Sequence, residues 1–208
     1  MNMVEKTKDK ASKGNEIDSL IALLAKLPGF GKRSARRAVL HMINKRDSLM
    51  QPITYLMEEV HKKVHKCQDC GNITTDIRCG ICLDIRRDGT KLCIVSDVSD
   101  LWAMERAQMF KGKFYVLGGL LSAIDGVDPD SLRIPLLIKR IKSEGVKEII
   151  LALSSTINGQ TTAHYIAEQI SALDIEVTSL ANGVPIGGEL DYLDEGTINI
   201  AFNSRKAF

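Results

Sequence analysis

Four cysteines in the stretch CQDCGNITTDIRCGIC constrain this chain more than any other feature of its sequence. Cys67, Cys70, Cys79 and Cys82 form two C-x-x-C pairs separated by eight residues. Each pair can fold into a tight turn that directs two thiolates at one tetrahedral ion, and Gly71 suits such a turn because glycine accepts a positive φ. The spacing predicts one structural Zn²⁺ per chain, because four protein ligands leave no open coordination position.

Other fates of these thiols stay open at the level of sequence. They could be buried free thiols, ligands of an iron–sulfur cluster or a redox pair. Disulfides are disfavoured in the cytoplasm, where we expect the protein because its charged N-terminus lacks the apolar stretch of a signal peptide. The fifth cysteine, Cys93, lies within the apolar run LCIVS and is predicted to be a core residue.

A second motif, LPGFGKRSARR at residues 27–37, places a glycine on either side of Phe30 and a cluster of cations directly afterwards. A glycine turn that leads into a helix is typical of an anion site, because unpaired amides and the helix dipole favour negative charge there. The triphosphate-binding loop needs Ser or Thr where Arg33 follows Lys32, and the dinucleotide fingerprint needs glycine where Ser34 stands. The motif matches neither of these phosphate loops.

Apolar spacing on both sides of this turn predicts a helix-hairpin-helix. One helix is expected from Ile17 to near Pro28 behind the cap Asn15, a second over residues 34–43, and a third over about residues 52–64. We expect the turn and the second helix to grip DNA phosphates without reading bases. The candidate DNA-binding residues are Gly29, Phe30, Gly31, Lys32, Arg33, Arg36 and Arg37. A helix connection with a solvated basic surface is the alternative.

From Lys91 onwards, short apolar runs alternate with helical stretches. The runs LCIVS, FYVLGG, EIILAL and EVTSLA are predicted strands, and DLWAMERA, DSLRIPLLIKRIKSEG and TTAHYIAEQISALD are the predicted helices between them. This alternation predicts an α/β fold with a mostly parallel sheet and right-handed crossovers. The tail after residue 181 could return to the sheet or reach another subunit.

Carboxylates are sparse where an α/β enzyme would carry them, beyond the C-terminal ends of the strands. The first strand offers Asp97 and Asp100, but the third runs into LSSTINGQTT, which contains no acid. A magnesium-dependent phosphotransfer site needs carboxylates from at least two strand ends. Asp97 and Asp100 are therefore interpreted as a turn residue and a helix cap.

Charge is distributed unevenly along the 208 residues. The net charge is only +2, but residues 1–66 carry 14 Lys and Arg against 7 Asp and Glu, whereas the remainder carries 14 against 19. A basic N-terminal third indicates a polyanionic partner for that part of the chain, although a solvated charged surface would look the same.

The order of these motifs resembles the bacterial RecR recombination-mediator family from about Ile17 to Phe202. LPGFGKRSA, then C-x2-C-x8-C-x2-C, then YVLGGLLS carry the resemblance, together with LCIVSDVSDLWAMERA and GVPIGGELDYLDEGT. It implies a Toprim fold for the α/β region, no enzymatic activity, and a ring-forming homo-oligomer, a dimer or a tetramer. It also implies partnership with DNA, double- or single-stranded, with RecO and, in many bacteria, with RecF, in loading recombinase at single-strand gaps during repair.

The resemblance is not uniform. Arg33 and Arg37 stand where the family's hairpin carries basic residues, but Ser96 replaces the glutamate that ends the first Toprim strand. Asn158 stands where the third-strand loop carries a glutamate, and Asn182 where relatives commonly have arginine. Since those acids contribute to partner contacts in some RecR proteins, Asp97, Asp100 and Asn158 form the candidate partner surface.

Five regions are expected from these observations. They are a disordered tail at 1–14, a helix-hairpin-helix DNA-binding region at 15–66, a zinc finger at 67–82, a Toprim domain at 83–180 and a C-terminal segment at 181–208 that is a candidate oligomer contact. The preferred hypothesis is a DNA-repair binding protein without catalysis. Its rivals are a Toprim nuclease or primase-like enzyme that uses Asp97 and Asp100 with magnesium, and a zinc protein that binds only protein partners.

Overall fold

The structure, a computed structural model, describes residues 15–181 and 183–205. The expected disordered tail at 1–14 and Asn182 lie outside these residues. The chain divides into two compact units, residues 1–62 and 63–208. None of the described helices is long and apolar enough to cross a membrane.

The first unit is built from helices. They are α1 (Glu16–Leu24), α2 (Lys32–Asn44), a π-helical turn (Arg46–Met50) and α3 (Gln51–Lys63). Asn15 caps α1 as predicted, since its Oδ1 accepts from the Ile17 amide at 2.6 Å. Ala35 and Val39 lie one turn apart on α2 and are fully buried.

The four-cysteine finger opens the second unit. Strands β1 (His65–Lys66) and β2 (Ile73–Thr74) pair antiparallel, and the short helix α4 (Gly80–Leu83) follows. The first knuckle, Cys67–Cys70, lies in the turn between the two strands, and the second knuckle, Cys79–Cys82, ends in α4.

A parallel four-stranded sheet forms the centre of the second unit and confirms the predicted fold class. Its strands are β3 (Asp88–Val95), β4 (Gly112–Val116), β5 (Glu148–Ala152) and β6 (Glu176–Ser179), in the order β4-β3-β5-β6. The connecting helices are α5 (Val98–Ala107), α6 (Ile134–Glu144) and α7 (Ile157–Ile170).

Alternation along the strands divides the core between two faces of the sheet. Leu92 and Ile94 pack with buried residues of α6 and α7 on one face. Cys93 and Val95 pack on the other face with Leu101 of α5, and the finger contributes Ile81 to that cluster. The sheet is therefore covered on both faces, as a parallel sheet requires.

The finger also covers the β4 edge of the sheet. The Val116 amide donates to the Cys70 carbonyl at 2.8 Å, and Arg140 donates to the Phe114 carbonyl at 3.3 Å. These backbone groups point away from β3 and would otherwise form an open strand edge.

Two helices begin elsewhere than the apolar spacing predicts. α7 begins at Ile157 instead of residue 161, because Thr156 caps it by accepting from the Gly159 amide at 3.2 Å. α6 begins at Ile134 instead of residue 130, because Asp128 and Ser131 form a turn before it, with Asp128 Oδ1 accepting from the Ser131 amide at 2.7 Å.

The C-terminal segment contains a 3-10 turn (Leu190–Tyr192) and helix α8 (Glu195–Asn203). Within residues 183–205 the chain adds no strand to the sheet. None of the residues of α8 is buried.

Candidate metal centre and nucleic-acid interface

The four cysteine sulfurs converge on one point. All four Sγ atoms lie within 4.8 Å of one another, and all four residues are buried. Cys70 and Cys79 are 3.5 Å apart at sulfur, and Cys67 and Cys82 are 3.9 Å apart. A tetrahedron of sulfurs about 2.3 Å from a metal has edges of about 3.8 Å, so the cluster could hold a metal ion such as Zn²⁺.

The local backbone explains why the sulfurs converge. Gly71 ends the first knuckle at φ +79°, and a Cβ there would lie 2.9 Å from Arg133 Nε and 3.1 Å from the Val116 carbonyl oxygen. Amides point at the sulfurs, since Asn72 N–H donates to Cys70 Sγ at 3.4 Å and Cys79 N–H to Cys67 Sγ at 3.3 Å. Such donors stabilise thiolates, the form that binds metal.

Hydrogen bonding among the sulfurs separates their acidities when no metal is bound. The bond with Cys79 raises the pKa of Cys70 to about 12, and the same bond with Cys70 lowers the pKa of Cys79. The pKa of Cys82 is also raised, first by its hydrogen bond with Cys70. Metal binding must therefore displace protons from thiols of this cluster.

Cys93 lies apart from this cluster. It is fully buried in the sheet, and burial raises the pKa of its thiol to about 12, so it stays protonated and unreactive. Its interpretation as a core residue is confirmed.

The glycine turn in the first unit leads into α2, and the N-terminus of α2 has no side-chain cap. Gly29 adopts φ +77°, and Gly31 is the N-cap residue, which makes no side-chain cap hydrogen bond. The first-turn amides of α2 therefore have no capping oxygen, and no acidic residue stands in that turn. The Phe30 amide is different, because it already donates to the Leu27 carbonyl at 3.0 Å and is not available to a ligand.

All four cations of the motif are exposed, and three of them line two separate cavities. Lys32 and Arg36 line a cavity of about 350 Å³ with Asp18 of α1. Arg37 lines a separate cavity with Ser34 and His41. Positive side chains at the positive end of a helix dipole destabilise the helix unless an anion joins them, so this arrangement suits an anionic ligand.

The ends of the Toprim-like strands show how the remaining acids are used. Asp97 caps α5, with Oδ1 accepting from the Ser99 amide at 3.1 Å. Asp100 closes the capping box, because its Oδ2 accepts from the Asp97 amide at 3.1 Å and from Ser96 Oγ at 2.6 Å. Both carboxylates are thus engaged in local hydrogen bonds at the start of a helix.

Comparison with known proteins places these features in one family. Three family descriptions match: "RecR, helix-hairpin-helix" over residues 17–60, "Toprim domain" over 90–181 and "RecR, C-terminal" over 183–206. "Recombination protein RecR" of Ruegeria pomeroyi is 57% identical over 196 residues, which cover 94% of this chain and 98% of that protein. The chain belongs to the RecR family. The RecR proteins of Cereibacter sphaeroides (56% over 193 residues) and Mesorhizobium japonicum (55% over 195) cover 93% and 94% of the chain and 97% of their own lengths.

Membership in the RecR family confirms the recognition made from the motif order. The Toprim match encloses Ser96, Asp97, Asp100 and Asn158. Asn158 is the second residue of α7 and is exposed. Among the described residues, the four cysteines are the only group of three or more Cys, His, Asp or Glu that could hold a metal.

Sequence reasoning missed the cations that hold the finger of this RecR chain. Lys113 bonds to the Cys82 carbonyl from 31 residues away, and Arg140 bonds to the Asp69 carbonyl from 71 residues away. No local pattern connects residues so far apart. The sequence itself carries no signal that would have found these cations.

Proposed function

We propose that this chain is a DNA-binding recombination protein without catalytic activity, which binds the phosphate backbone independently of base sequence. The relatives share the printed name "Recombination protein RecR" and nearly the full length of the chain, which supports a role in recombination and repair. DNA, double- or single-stranded, is the partner of the first unit.

The observation that carries this proposal is the crowding of cations at the uncapped N-terminus of α2. Lys32 and Arg33 occupy its first two positions, and Arg36 and Arg37 follow one turn later. Cations in the first turn of a helix, as Lys32 and Arg33 are, are unfavourable by about 0.3–1 kcal/mol each. A DNA phosphate bound at this end of the helix makes the presence of these cations favourable. It also accepts hydrogen bonds from the first-turn amides.

The absence of catalysis is proposed from the state of the Toprim acids. Asp97 and Asp100 form a capping box, and Ser96 stands where a third acid would be needed. An ion that bound Asp97 Oδ1 or Asp100 Oδ2 would compete with the hydrogen bonds that begin α5.

The wider proposal follows the family resemblance. The chain would form a ring-shaped homo-oligomer, a dimer or a tetramer, and would act with RecO and, where present, RecF to load recombinase at single-strand gaps. The candidate partner surface comprises Asp97, Asp100 and Asn158, at the carboxyl end of the sheet. The metal would be one structural Zn²⁺ held by the four cysteines, since a closed set of thiolates suits that ion.

The DNA interface is tested by reversing charge on one side of α2. Arg33 and Arg37 lie one helical turn apart, so both can face one DNA strand. For duplex DNA, log affinity falls with log salt by about 0.9 per phosphate neutralised, so the variant Arg33→Glu/Arg37→Glu should flatten that slope by about two units. Its affinity should fall by a similar factor for every DNA sequence.

A matched control is available on α6, where Lys139 and Lys142 are exposed in the second unit. Lys139→Glu/Lys142→Glu changes the net charge equally and should leave the salt slope nearly intact. Fluorescence anisotropy across a salt titration measures both variants. If the α2 variant keeps the parent's affinity and slope, the hairpin is a connector with a solvated basic face, and the proposed function fails.

A further inference from the structure

The second cysteine knuckle is held by a lysine from the sheet. Lys113 lies on β4, and its ammonium donates to the carbonyls of Ile81 at 3.0 Å, Cys82 at 3.0 Å and Asp84 at 2.8 Å. An ammonium has three donors and no acceptor, so one side chain is fully used by three carbonyls. These carbonyls lie at the C-terminal end of α4, where a helix leaves its oxygens without internal partners.

The first knuckle is held by two arginines. Arg140 donates to the Asp69 carbonyl at 3.3 Å, and Arg133 donates to the Gln68 carbonyl at 3.3 Å. Both guanidinium groups lie over the ring of Tyr115, at 5.4 Å for Arg133 and 6.0 Å for Arg140. Stacking on a buried ring restricts these long side chains to the positions from which they reach the knuckle.

The directions in which the backbone groups of the knuckles point explain this arrangement. Their amides turn inward to the sulfurs, as those of Asn72 and Cys79 do, so their carbonyls turn outward and need donors. Lys113, Arg133 and Arg140 supply cationic donors, and the Val116 amide supplies the donor to the Cys70 carbonyl. Four thiolates around a divalent ion carry a net negative charge, which nearby cations stabilise.

We propose that Lys113 and Arg140 are positioning residues of the metal centre: they hold the two knuckles in ligating geometry before the ion arrives and couple the ion to strand β4. Neither side chain touches a ligand sulfur directly; each acts through backbone carbonyls. The inference rests on the four-cysteine site of the proposed function and is independent of DNA binding.

Lys113→Met in the full chain tests the inference. Without the ammonium the second knuckle is less ordered in the metal-free chain. Ordering it then reduces the favourable free energy of Zn²⁺ binding. The Zn²⁺ dissociation constant, measured by competition with a chromophoric chelator, should rise about 10- to 100-fold. The Co²⁺-loaded variant should keep the visible spectrum of a tetrahedral thiolate site, because all four sulfurs remain. Lys111→Met removes an exposed lysine two residues earlier and should bind Zn²⁺ like the parent.

Coupling to the sheet has its own readout. Val116 N–H donates to the Cys70 carbonyl, so hydrogen exchange at the β4 edge should accelerate when a chelator removes the metal, and Arg140→Met should accelerate it further. Arg140→Met also replaces Lys113→Met in the affinity measurement if the lysine variant does not fold.

Two results would count against the inference, and they are distinguishable. Dissociation constants within about twofold of the parent, with a normal Co²⁺ spectrum, would show that the cations only pack the finger against the sheet. A parent chain that binds neither Zn²⁺ nor Co²⁺ would instead remove the metal centre itself, whatever the DNA titration shows.

Discussion

Replacement of Gly159 by alanine should destabilise the second unit, although alanine normally favours a helix. Gly159 is the third residue of α7, where a Gly to Ala change with free space would gain about 0.5–1 kcal/mol. Here a Cβ would lie 1.9 Å from the Ser154 carbonyl oxygen and 2.8 Å from Ser154 Oγ. The nearer atom belongs to the backbone and cannot rotate away.

The size of the stability loss depends on which part of the structure shifts to relieve this contact. Relieving the contact shifts either the loop after β5 or the first turn of α7, and the second change weakens the cap from Thr156 Oγ1 to the Gly159 amide. Overpacking costs about 1–3 kcal/mol and a lost cap about 1 kcal/mol, while alanine returns up to about 1 kcal/mol. The net loss is about 2 kcal/mol, which lowers the Tm by about 4–8 °C for a unit of this size.

Thermal unfolding of the metal-loaded chain, followed by circular dichroism, measures this loss. Gly89→Ala is the control, because a Cβ at Gly89 in β3 would meet no atom within 4 Å. Its Tm should match that of the parent or exceed it slightly. A Tm for Gly159→Ala equal to or above that of the parent would refute the close approach of the β5–α7 loop to the helix.

Two further predictions concern the metal and the strand ends. Elemental analysis should find one Zn²⁺ per chain and none in Cys79→Ser. Because the metal must displace the proton of Cys70, whose pKa is raised to about 12, retention should fall steadily as the pH is lowered below that value, and retention that does not depend on pH would contradict this. Neither the parent nor Ser96→Glu should cleave labelled DNA with Mg²⁺ or Mn²⁺, and cleavage that disappears in Asp97→Asn would support an enzyme instead.

Local chemistry accounts for what the sequence predicted well. The cluster of four cysteines follows from the spacing of two C-x-x-C pairs. Asn15 caps a helix and Gly71 forms a turn, as expected of their residue types. The parallel sheet follows from alternating apolar runs and helices. These features depend on residues that are neighbours in the chain, which is where pattern reasoning is strongest.

Contacts between residues that are far apart in the chain account for the features that sequence reasoning missed. The apolar pattern predicts a start of α7 that is too late, because it includes neither the cap Thr156 nor the close approach at Gly159. Lys113 on β4 looks like an exposed lysine of an edge strand until the finger covers that edge. Its role depends on a fold in which the finger and β4 meet, so no window of sequence contains it.

Ser96 lies at a strand end where a hydrogen-bond donor supports the cap of the following helix. Its hydroxyl donates to Asp100, which also accepts from the Asp97 amide, while Asp97 caps the same helix. A glutamate at this position would place a second negative charge beside Asp100 and would favour a cation between them. With serine, Asp100 Oδ2 accepts two hydrogen bonds and no second acid stands at position 96, so a cation that bound this oxygen would compete with the bonds that hold α5 in place. Helix capping and metal binding therefore compete for the same two acids, and in this chain the donor at position 96 favours the cap.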